Sequence, residues 1–180
     1  MRITISGTPG SGKSVVSKYL SKKLSLKYYG IGELMRGFAQ KKKIGLIQLS
    51  ELLKKDSELD KKFNEDIIKL NDDDNFVLDS RLGFFFIKDG IHIFLDADAD
   101  LRAERIFNDN RKLEKFNKVG DVKKEIVKRL SLERERFRKL YKVDFTDINN
   151  YDLIIDTTGM NTKLISDVII KYLRKWYTTL

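Results

Sequence analysis

The chain has 180 residues with a single proline, which suits one domain, residues 1–180, that no proline-rich linker divides. It has no cysteine and one histidine, His92, so disulfides, a cysteine nucleophile and multi-histidine metal centres are excluded. The net charge of +9 fits an enzyme of polyanionic substrates. The lysines are interspersed with acidic residues, as on an ordinary solvated surface, and this distribution argues against a nucleic-acid partner.

The hydrophobic pattern alternates strands with helices, which is typical of an α/β fold with a parallel sheet and helices on both faces. In chain order, the predicted strands are residues 2–6, 27–29, 76–79, 91–96 and 152–156. The predicted helices are residues 13–25, a stretch over 33–71 with breaks near 43–45 and 56–57, then 100–110, 121–141 and 162–177. All strands except the second are nearly continuous apolar runs, as expected for strands buried on both faces.

A glycine-rich segment follows the first strand and spells GxxxxGKS, the phosphate-binding loop of nucleoside triphosphate enzymes. In this motif, main-chain N–H groups at a helix start cradle phosphate oxygens, and the lysine reaches the β- and γ-phosphates. We therefore predict that the chain binds ATP through this loop, the residue after it, and a threonine that follows the fifth strand beside the adenine. The predicted nucleotide-binding residues are Gly7, Thr8, Pro9, Gly10, Ser11, Gly12, Lys13, Ser14, Val15 and Thr157.

Two side chains are predicted to hold Mg²⁺, the Ser14 hydroxyl in the loop and the Asp79 carboxylate at the end of the third strand. The carboxyl ends of parallel strands meet at one edge of the sheet, where ligands bind. Asp79 is therefore expected to face the phosphate loop and to hold the metal ion through water, with capping of the turn after the strand as the alternative.

Two excursions leave the sheet from this edge, a helical one over about residues 31–71 and an arginine-rich one over about 102–138. We expect the first to bind the second substrate and the other to close as a lid, so that water is kept from the reacting phosphates. The arginines that begin the second excursion are Arg102, Arg105 and Arg111.

Arginine forks match phosphate oxygens bidentately, so the arginines at the active edge are the predicted phosphate ligands. Arg36, on the first excursion, and Arg81, after the third strand, are expected to clamp the acceptor phosphate. Arg129 and Arg136 share one helix face and are expected to arrive with the lid. Together with the loop lysine, the predicted catalytic residues are Lys13, Arg36, Arg81, Arg129 and Arg136.

A second stripe on the same helix, Arg134 and Arg138, is expected to face water and to pair with Glu133 or Glu135. His92 alternates with isoleucines on the fourth strand and is predicted to be structural. The three phenylalanines over residues 84–86 are predicted to pack the loop after the third strand, with stacking on a base as the alternative.

Four segments resemble motifs of the nucleoside monophosphate kinases, and most closely those of the archaeal-type cytidylate kinases. They are the phosphate loop at residues 7–14, GELMR at 32–36, VLDSRL at 77–82 and LRAERI at 101–106. The acidic segment over residues 56–60 is similar to the turn between helices of the family's monophosphate-binding flap. Asp79, where the family has glutamate, Lys142, where glycine is common, and the phenylalanine run depart from the pattern.

The resemblance implies a three-layer P-loop kinase fold with a five-stranded sheet in the order 2-3-1-4-5, a helical monophosphate-binding flap and an arginine-rich lid. It implies transfer of the γ-phosphoryl group of ATP to CMP or dCMP, with Mg²⁺ as cofactor. It also implies Arg36 and Arg81 on the monophosphate and the lid arginines on the transferring group.

Two alternatives stay open at this point. Another small P-loop kinase, with adenylate, shikimate or a coenzyme precursor as acceptor, has the same loop. A protein that binds RNA and uses bound ATP as a switch belongs to a different class. No apolar stretch approaches the roughly 20 residues that span a bilayer, and because the first strand begins at residue 2, we expect no signal peptide. We therefore expect a cytoplasmic monomer without a membrane partner.

Overall fold

A five-stranded parallel sheet forms the centre of the molecule. The computed structural model describes residues 1–109 and 116–177, and of residue 177 only the backbone. The strands are β1 Arg2–Gly7, β2 Lys27–Gly30, β3 Phe76–Asp79, β4 Ile91–Asp96 and β5 Leu153–Asp156. Neighbouring strands are all parallel, and their order is β2-β3-β1-β4-β5. The predicted fold class and strand order are therefore confirmed.

The helices connect these strands and cover both faces of the sheet. They are α1 Lys13–Lys23, α2 Ile31–Lys41, α3 Leu46–Lys55, α4 Ser57–Lys69, α5 Gly83–Phe86, α6 Ala99–Asn108, α7 Val119–Tyr141 and α8 Thr162–Tyr177, with short 3₁₀ turns at Leu70–Asp72 and Ile148–Asn150. The sequence pattern places every helix except α5 within a few residues of these bounds. In the part of the chain that the structure describes, none of the helices has the length and apolar character that crossing a membrane requires.

Apolar side chains of the central strands are buried on both faces, which explains their continuous apolar sequences. On one face, Ile3 and Ile5 of β1 pack with residues of α1 and α8, including Leu20 and Ile169. On the other face, Phe76 and Leu78 of β3 pack with Ile31 of α2, Ile67 of α4 and Ile87, which follows α5. Because the strands are packed on both faces, their carboxyl ends are held in place, and so are the residues that follow them.

The first excursion is three separate helices, because the chain turns at two residues. Lys43 has φ of +55°, which ends α2. The Asp56 carboxylate accepts a hydrogen bond from the Leu59 N–H at 2.9 Å and caps the start of α4. Both predicted breaks are confirmed.

The division into a monophosphate-binding unit over 31–71 and a lid over 102–138 stays a prediction, and Arg111 lies outside the described residues.

Candidate functional site

The phosphate loop connects β1 with α1 at the carboxyl edge of the sheet. Gly7 has φ of +144°, and a side chain there would overlap the main chain at Leu95 on the neighbouring strand. Gly12 has φ of +89° and occupies the N-cap of α1, so the first turn of the helix opens onto the loop. The glycines at these two positions are therefore needed for the path of the loop and for the close approach of its main chain.

A cavity of about 700 Å³ lies above this edge of the sheet, within the usual size range of small-molecule sites. The loop from Pro9 to Ser14 lines it, together with residues of helices α2, α4, α6 and α7. Charged and polar side chains from widely separated parts of the chain meet here. They are Lys13, Arg36, Asp60, Asn64, Asp79, Arg81, Arg129, Glu133 and Arg136. All five predicted catalytic residues thus line one cavity.

Lys13 is folded back onto its own loop, where its Nζ donates a hydrogen bond to the Thr8 carbonyl oxygen at 2.8 Å. Burial lowers the pKa of the Lys13 ammonium well below its usual value, the charge of Arg81 lowers it further, and Asp79 opposes both effects. A negatively charged phosphate beside Lys13 would relieve this cost, because it favours the protonated amine. The environment of Lys13 is therefore suited to an anionic ligand.

Ser14 and Asp79 are in direct contact, and the Ser14 hydroxyl donates a hydrogen bond to the Asp79 carboxylate at 2.5 Å. Asp79 is buried at the end of β3, beside β1, through the register that pairs it with Ile5. The predicted proximity of these two oxygen groups is thereby confirmed by the geometry.

A buried ion-pair cluster joins Arg81 to α7. The Glu133 carboxylate, 4 % exposed, accepts from Arg81 Nε at 2.9 Å and from Arg129 Nε at 3.0 Å. Arg81 Nη1 also donates to the Gly7 carbonyl oxygen at 2.5 Å. Burial opposes ionisation of Glu133, but the charges of Arg81, Arg129 and Arg136 outweigh burial and lower its pKa. Glu133 therefore carries a negative charge that holds the two arginines at the cavity wall.

This role of Glu133 was not predicted from the sequence. The prediction that Glu133 would pair with the outer arginine stripe is wrong, because Arg134 and Arg138 instead pair with Asp144, at 2.7 and 2.5 Å. The spacing of four residues between Arg129 and Glu133 on one helix was the available signal. The separation into an inner and an outer stripe is confirmed.

A second buried pair lies one turn further along α7. Arg136 Nε approaches Asp60 Oδ1 of α4 at 3.2 Å, and the two side chains are 3 % and 2 % exposed. The Tyr141 hydroxyl donates to the same carboxylate at 2.5 Å, and Asn64 donates to it at 3.2 Å. Arg136 is thus anchored between helices and is not an exposed lid arginine. Asp60 and Asn64 were missed because the local sequence gives no sign of contacts with α7.

Thr157 lies beneath the loop and not on the cavity wall. It is fully buried, and its hydroxyl lies 3.1 Å from the carbonyl oxygen of Ser11 and 2.9 Å from that of Asp96, to one of which its single hydrogen is donated. Arg105 Nη1 donates to the same hydroxyl at 3.0 Å. The predicted position of Thr157 in the adenine pocket is therefore corrected: the residue supports the loop and Arg105, which itself lines the cavity.

The remaining predicted residues take the following positions. Arg36 is half-buried on α2, with its guanidinium over Gly32 in the preceding turn, and it lines the cavity. His92 pairs through Nδ1 with the Thr4 hydroxyl at 2.8 Å within the sheet. Phe84 and Phe86 pack against Tyr151 and Tyr141 respectively, which confirms their predicted packing.

Comparisons with known proteins extend these observations. The model of the cytidylate kinase-like family matches residues 2–159. A cytidylate kinase of Sulfolobus acidocaldarius is 36 % identical over 173 residues, which are 94 % of this chain and 92 % of that protein. A cytidylate kinase of Methanosphaera stadtmanae is 30 % identical over 95 % of this chain and 96 % of its own length.

Other similarities say less about the function of this chain. An S-adenosylmethionine-dependent nucleotide dehydratase of Lacinutrix mariniflava is 35 % identical over 97 % of this chain, but the match covers 36 % of that protein. The shikimate kinase of Aquifex aeolicus has a TM-score of 0.58 over 97 % of this chain and 96 % of its own, at 22 % identity. A protein of Eubacterium ventriosum has a TM-score of 0.66 over 97 % and 98 %, at 19 % identity. At such low identities, these structures show the shared fold alone.

Proposed function

The chain belongs to the cytidylate kinase-like family, and from this premise we propose that it transfers the γ-phosphoryl group of ATP to CMP or dCMP. The observation that carries the proposal is that one cavity holds two different kinds of phosphate-binding group. The loop with Lys13 lines this cavity, and so do Arg36 of α2 and Arg81, which follows β3. Two nucleotides bound in this cavity would have their phosphates next to each other.

The reaction needs little covalent chemistry from the protein. An oxygen of the CMP phosphate attacks the γ-phosphorus, a new P–O bond forms, and the bond from the γ-phosphorus to the β,γ-bridging oxygen breaks, so that ADP leaves with that electron pair. The attacking oxygen is already anionic, so no general base is required. The position of His92, paired with Thr4 within the sheet, agrees with this mechanism.

We assign the side chains as follows. Lys13 and the loop N–H groups hold the β- and γ-phosphates of ATP, and they stabilise the charge that develops on the leaving oxygen. Arg36 and Arg81 hold the phosphate of CMP. Arg129, fixed beside Arg81 by Glu133, faces the transferring group. Holding both substrates in line in this way replaces an encounter in solution with a reaction between neighbours.

The residues present suit Mg²⁺. The Ser14 hydroxyl and the Asp79 carboxylate are in contact, and both are hard oxygen ligands of the kind that Mg²⁺ prefers. Among the described residues, no group of three or more acidic, histidine or cysteine side chains forms a metal cage. Such an ion would therefore be bound by these two residues together with phosphate oxygens, and it would supply charge neutralisation when bound.

We propose that water is kept from the reacting phosphates when both nucleotides fill the cavity. A kinase that admits water next to the γ-phosphate hydrolyses ATP, so burial of this region serves the transfer.

We propose that residues 31–71 and 102–138 act as the acceptor-binding unit and the lid. A cytoplasmic location and a monomeric state stay predictions from the sequence.

The experiment that tests the function is a panel of acceptors. ADP formation is measured by a coupled assay with ATP and, in turn, CMP, dCMP, UMP, AMP and shikimate. We expect the highest kcat/KM with CMP or dCMP and little ADP release without an acceptor. Preference for shikimate or AMP would replace the proposed acceptor, and acceptor-independent ADP release would remove the kinase assignment.

A further inference from the structure

Asp96, which lies outside every motif described above, contacts the phosphate loop from the end of β4. The register that pairs Gly7 with Leu95 places the residues that follow them, Thr8 and Asp96, side by side. The Thr8 hydroxyl donates a hydrogen bond to Asp96 Oδ1 at 2.5 Å. Arg102 Nε lies 3.7 Å from the same oxygen, which is beyond the length of a hydrogen bond. The hydrogen bond of this carboxylate oxygen therefore comes from the loop.

The carbonyl oxygen of the same threonine holds the loop lysine. It accepts hydrogen bonds from Lys13 Nζ at 2.8 Å and from the Ser11 hydroxyl at 2.9 Å. The Thr8 N–H donates to the Leu95 carbonyl oxygen at 3.3 Å, which is a long contact. A hydrogen bond to a charged acceptor is shorter and stronger than a neutral one. Of the two bonds that connect Thr8 with β4, the one to Asp96 is thus the stronger.

The phosphate-loop motif does not account for this arrangement. Position 8 is a free position in GxxxxGKS, so the phosphate cradle itself requires no hydroxyl there. Thr8 is 6 % exposed, and the part of the loop that lines the cavity begins at Pro9. The threonine side chain therefore acts on the loop and not on a ligand.

We propose that Asp96 is a positioning residue for ATP: through the Thr8 hydroxyl it fixes the Thr8 carbonyl oxygen and thereby the direction of Lys13. This inference rests on the proposed role of ATP as donor and deepens it. The glycines and the main chain set the path of the loop, and Asp96 adds the orientation of one carbonyl oxygen. ATP then meets a lysine that is already in place, so that binding requires less ordering of the site.

The sign of the effect separates positioning from simple electrostatics. The Asp96 carboxylate is 49 % exposed and lies beside a loop that is proposed to bind a polyanion. If charge alone mattered, removal of the carboxylate would tighten ATP binding, because like charges repel. Positioning predicts weaker binding instead. If Asp96 merely stabilised the fold, Tm would fall and the affinity of the folded protein for ATP would not change.

Two substitutions remove the contact from its two sides. Asp96→Ala removes the carboxylate, and Thr8→Val removes the hydroxyl but keeps a branched side chain of similar size. The contacts of Asp96 with Thr157 remain, because they involve the carbonyl oxygen of Asp96. The matched control is Asp156→Ala, at the residue that pairs with Asp96 at the end of β5 and whose carboxylate accepts from the Thr158 N–H. Calorimetry with MgCl2 present gives the dissociation constants of ATP and CMP, and thermal unfolding gives Tm.

For Asp96→Ala and for Thr8→Val, we expect the dissociation constant of ATP to rise by about 10-fold, as for the loss of one hydrogen bond to a charged group. That of CMP should change less than about 2-fold, and Tm should fall by no more than about 4 °C. The double variant should bind ATP as each single variant does, because both changes break the same bond. Thr8→Ser, which restores a hydroxyl, should recover most of the affinity that Thr8→Val loses. Asp156→Ala should bind ATP like the wild type.

A further pair of proteins tests whether the effect passes through the lysine. Starting from Lys13→Ala, the added change Asp96→Ala should weaken ATP binding by less than about 2-fold, since the side chain that Asp96 positions is then absent. A full loss of about 10-fold on top of Lys13→Ala would overturn the inference.

Unchanged or tighter ATP binding in Asp96→Ala would also overturn the inference, and so would equal weakening of ATP and CMP binding. If Thr8→Val does not fold, Asp96→Ala decides alone, because its half-exposed carboxylate can be removed without leaving a buried cavity. The proposed function fails separately. A wild type that binds ATP with the expected effects but does not phosphorylate CMP would overturn the acceptor assignment and leave the role of Asp96 standing.

Discussion

The two ends of the cavity are constructed differently. At the loop end, the ligand groups come from one short segment: the Lys13 Nζ contacts the Thr8 carbonyl oxygen, 5 residues away. At the α4–α7 end, the contacts join distant parts of the chain: Tyr141 and Asp60 are 81 residues apart. Main-chain geometry holds the first end, whereas buried side-chain pairs hold the second. We therefore expect substitutions at the loop end to remove activity alone, and those at the other end to change stability or selectivity as well.

The largest effect is expected for Lys13→Ala, which tests whether the loop end is a purely functional region. The glycines and the main chain hold the loop, so we expect kcat to fall by about 1000-fold with no decrease in Tm. The coupled assay and thermal unfolding measure the two quantities. Lys22→Ala, at an exposed position of the same helix, is the control and should resemble the wild type. Turnover near that of the wild type in Lys13→Ala would contradict the assignment.

Glu133→Gln is expected to affect stability most, because it breaks a buried ion-pair cluster and leaves two arginines uncompensated. Breaking such a group costs about 3–5 kcal/mol. For a domain of this size, a loss of 3 kcal/mol lowers Tm by about 6–12 °C. Glu135→Gln, whose exposed carboxylate pairs with Lys54, is the matched control and should cost less than about 1 kcal/mol.

The comparison of the wild type with Glu133→Gln also gives a prediction about pH. The charges of the neighbouring arginines lower the pKa of Glu133 in the folded state. Its contribution to stability is therefore complete above the unfolded pKa of about 4.3 and decreases as the pH falls below it. The free-energy difference between wild type and Glu133→Gln, measured by urea unfolding, should shrink in acid. A constant difference from pH 7 to pH 3 would show that Glu133 does not act through its charge.

Arg36→Ala should separate the two substrates. It removes a charged hydrogen-bond donor worth about 1.5–3 kcal/mol, so we expect KM for CMP to rise by roughly 10- to 100-fold. The KM for ATP should change less than about 2-fold, since the loop end is untouched. The control is Arg138→Ala, an outer arginine that is 58 % exposed. An equal rise of both KM values would mean that Arg36 does not belong to the acceptor end.

The smallest effect is expected for His92→Gln, because His92 lies at neither end of the cavity. Burial lowers the pKa of His92, and Asp152 opposes this effect only in part. The unfolded state therefore binds a proton more readily, and stability is lost as the pH falls below about 6.5. The glutamine variant should lose less stability than the wild type between pH 7 and pH 5, by less than about 1 kcal/mol, with unchanged kcat. A large loss of kcat would give His92 a chemical role.

The sequence predicted the parallel sheet and the loop end because each depends on local information, whereas the strand order followed from the family resemblance. Apolar runs define the strands, and the glycine spacing defines a loop whose position at the strand ends follows from the parallel sheet. The contact between Ser14 and Asp79 follows from the same reasoning.

The other end could be predicted only in part. The helix periodicity placed Arg129 and Arg136 on one face, but it could not show that Glu133 lies between two arginines or that Asp60 meets Arg136. These partners depend on how α4 packs against α7, which tertiary contacts decide. The predicted position of Thr157 was wrong for a related reason. Its place after the fifth strand suggested the adenine pocket, but the residue is buried and contacts the loop from beneath.

The central claim is that both nucleotides occupy one cavity with their phosphates in contact. It is tested most directly with a bisubstrate compound in which cytidine and adenosine are joined by a pentaphosphate bridge. Inhibition kinetics should show competition with ATP and also with CMP, and calorimetry should give one bound molecule per chain with higher affinity than either substrate. Competition with only one of the two nucleotides would contradict the account, because their sites would then be separate.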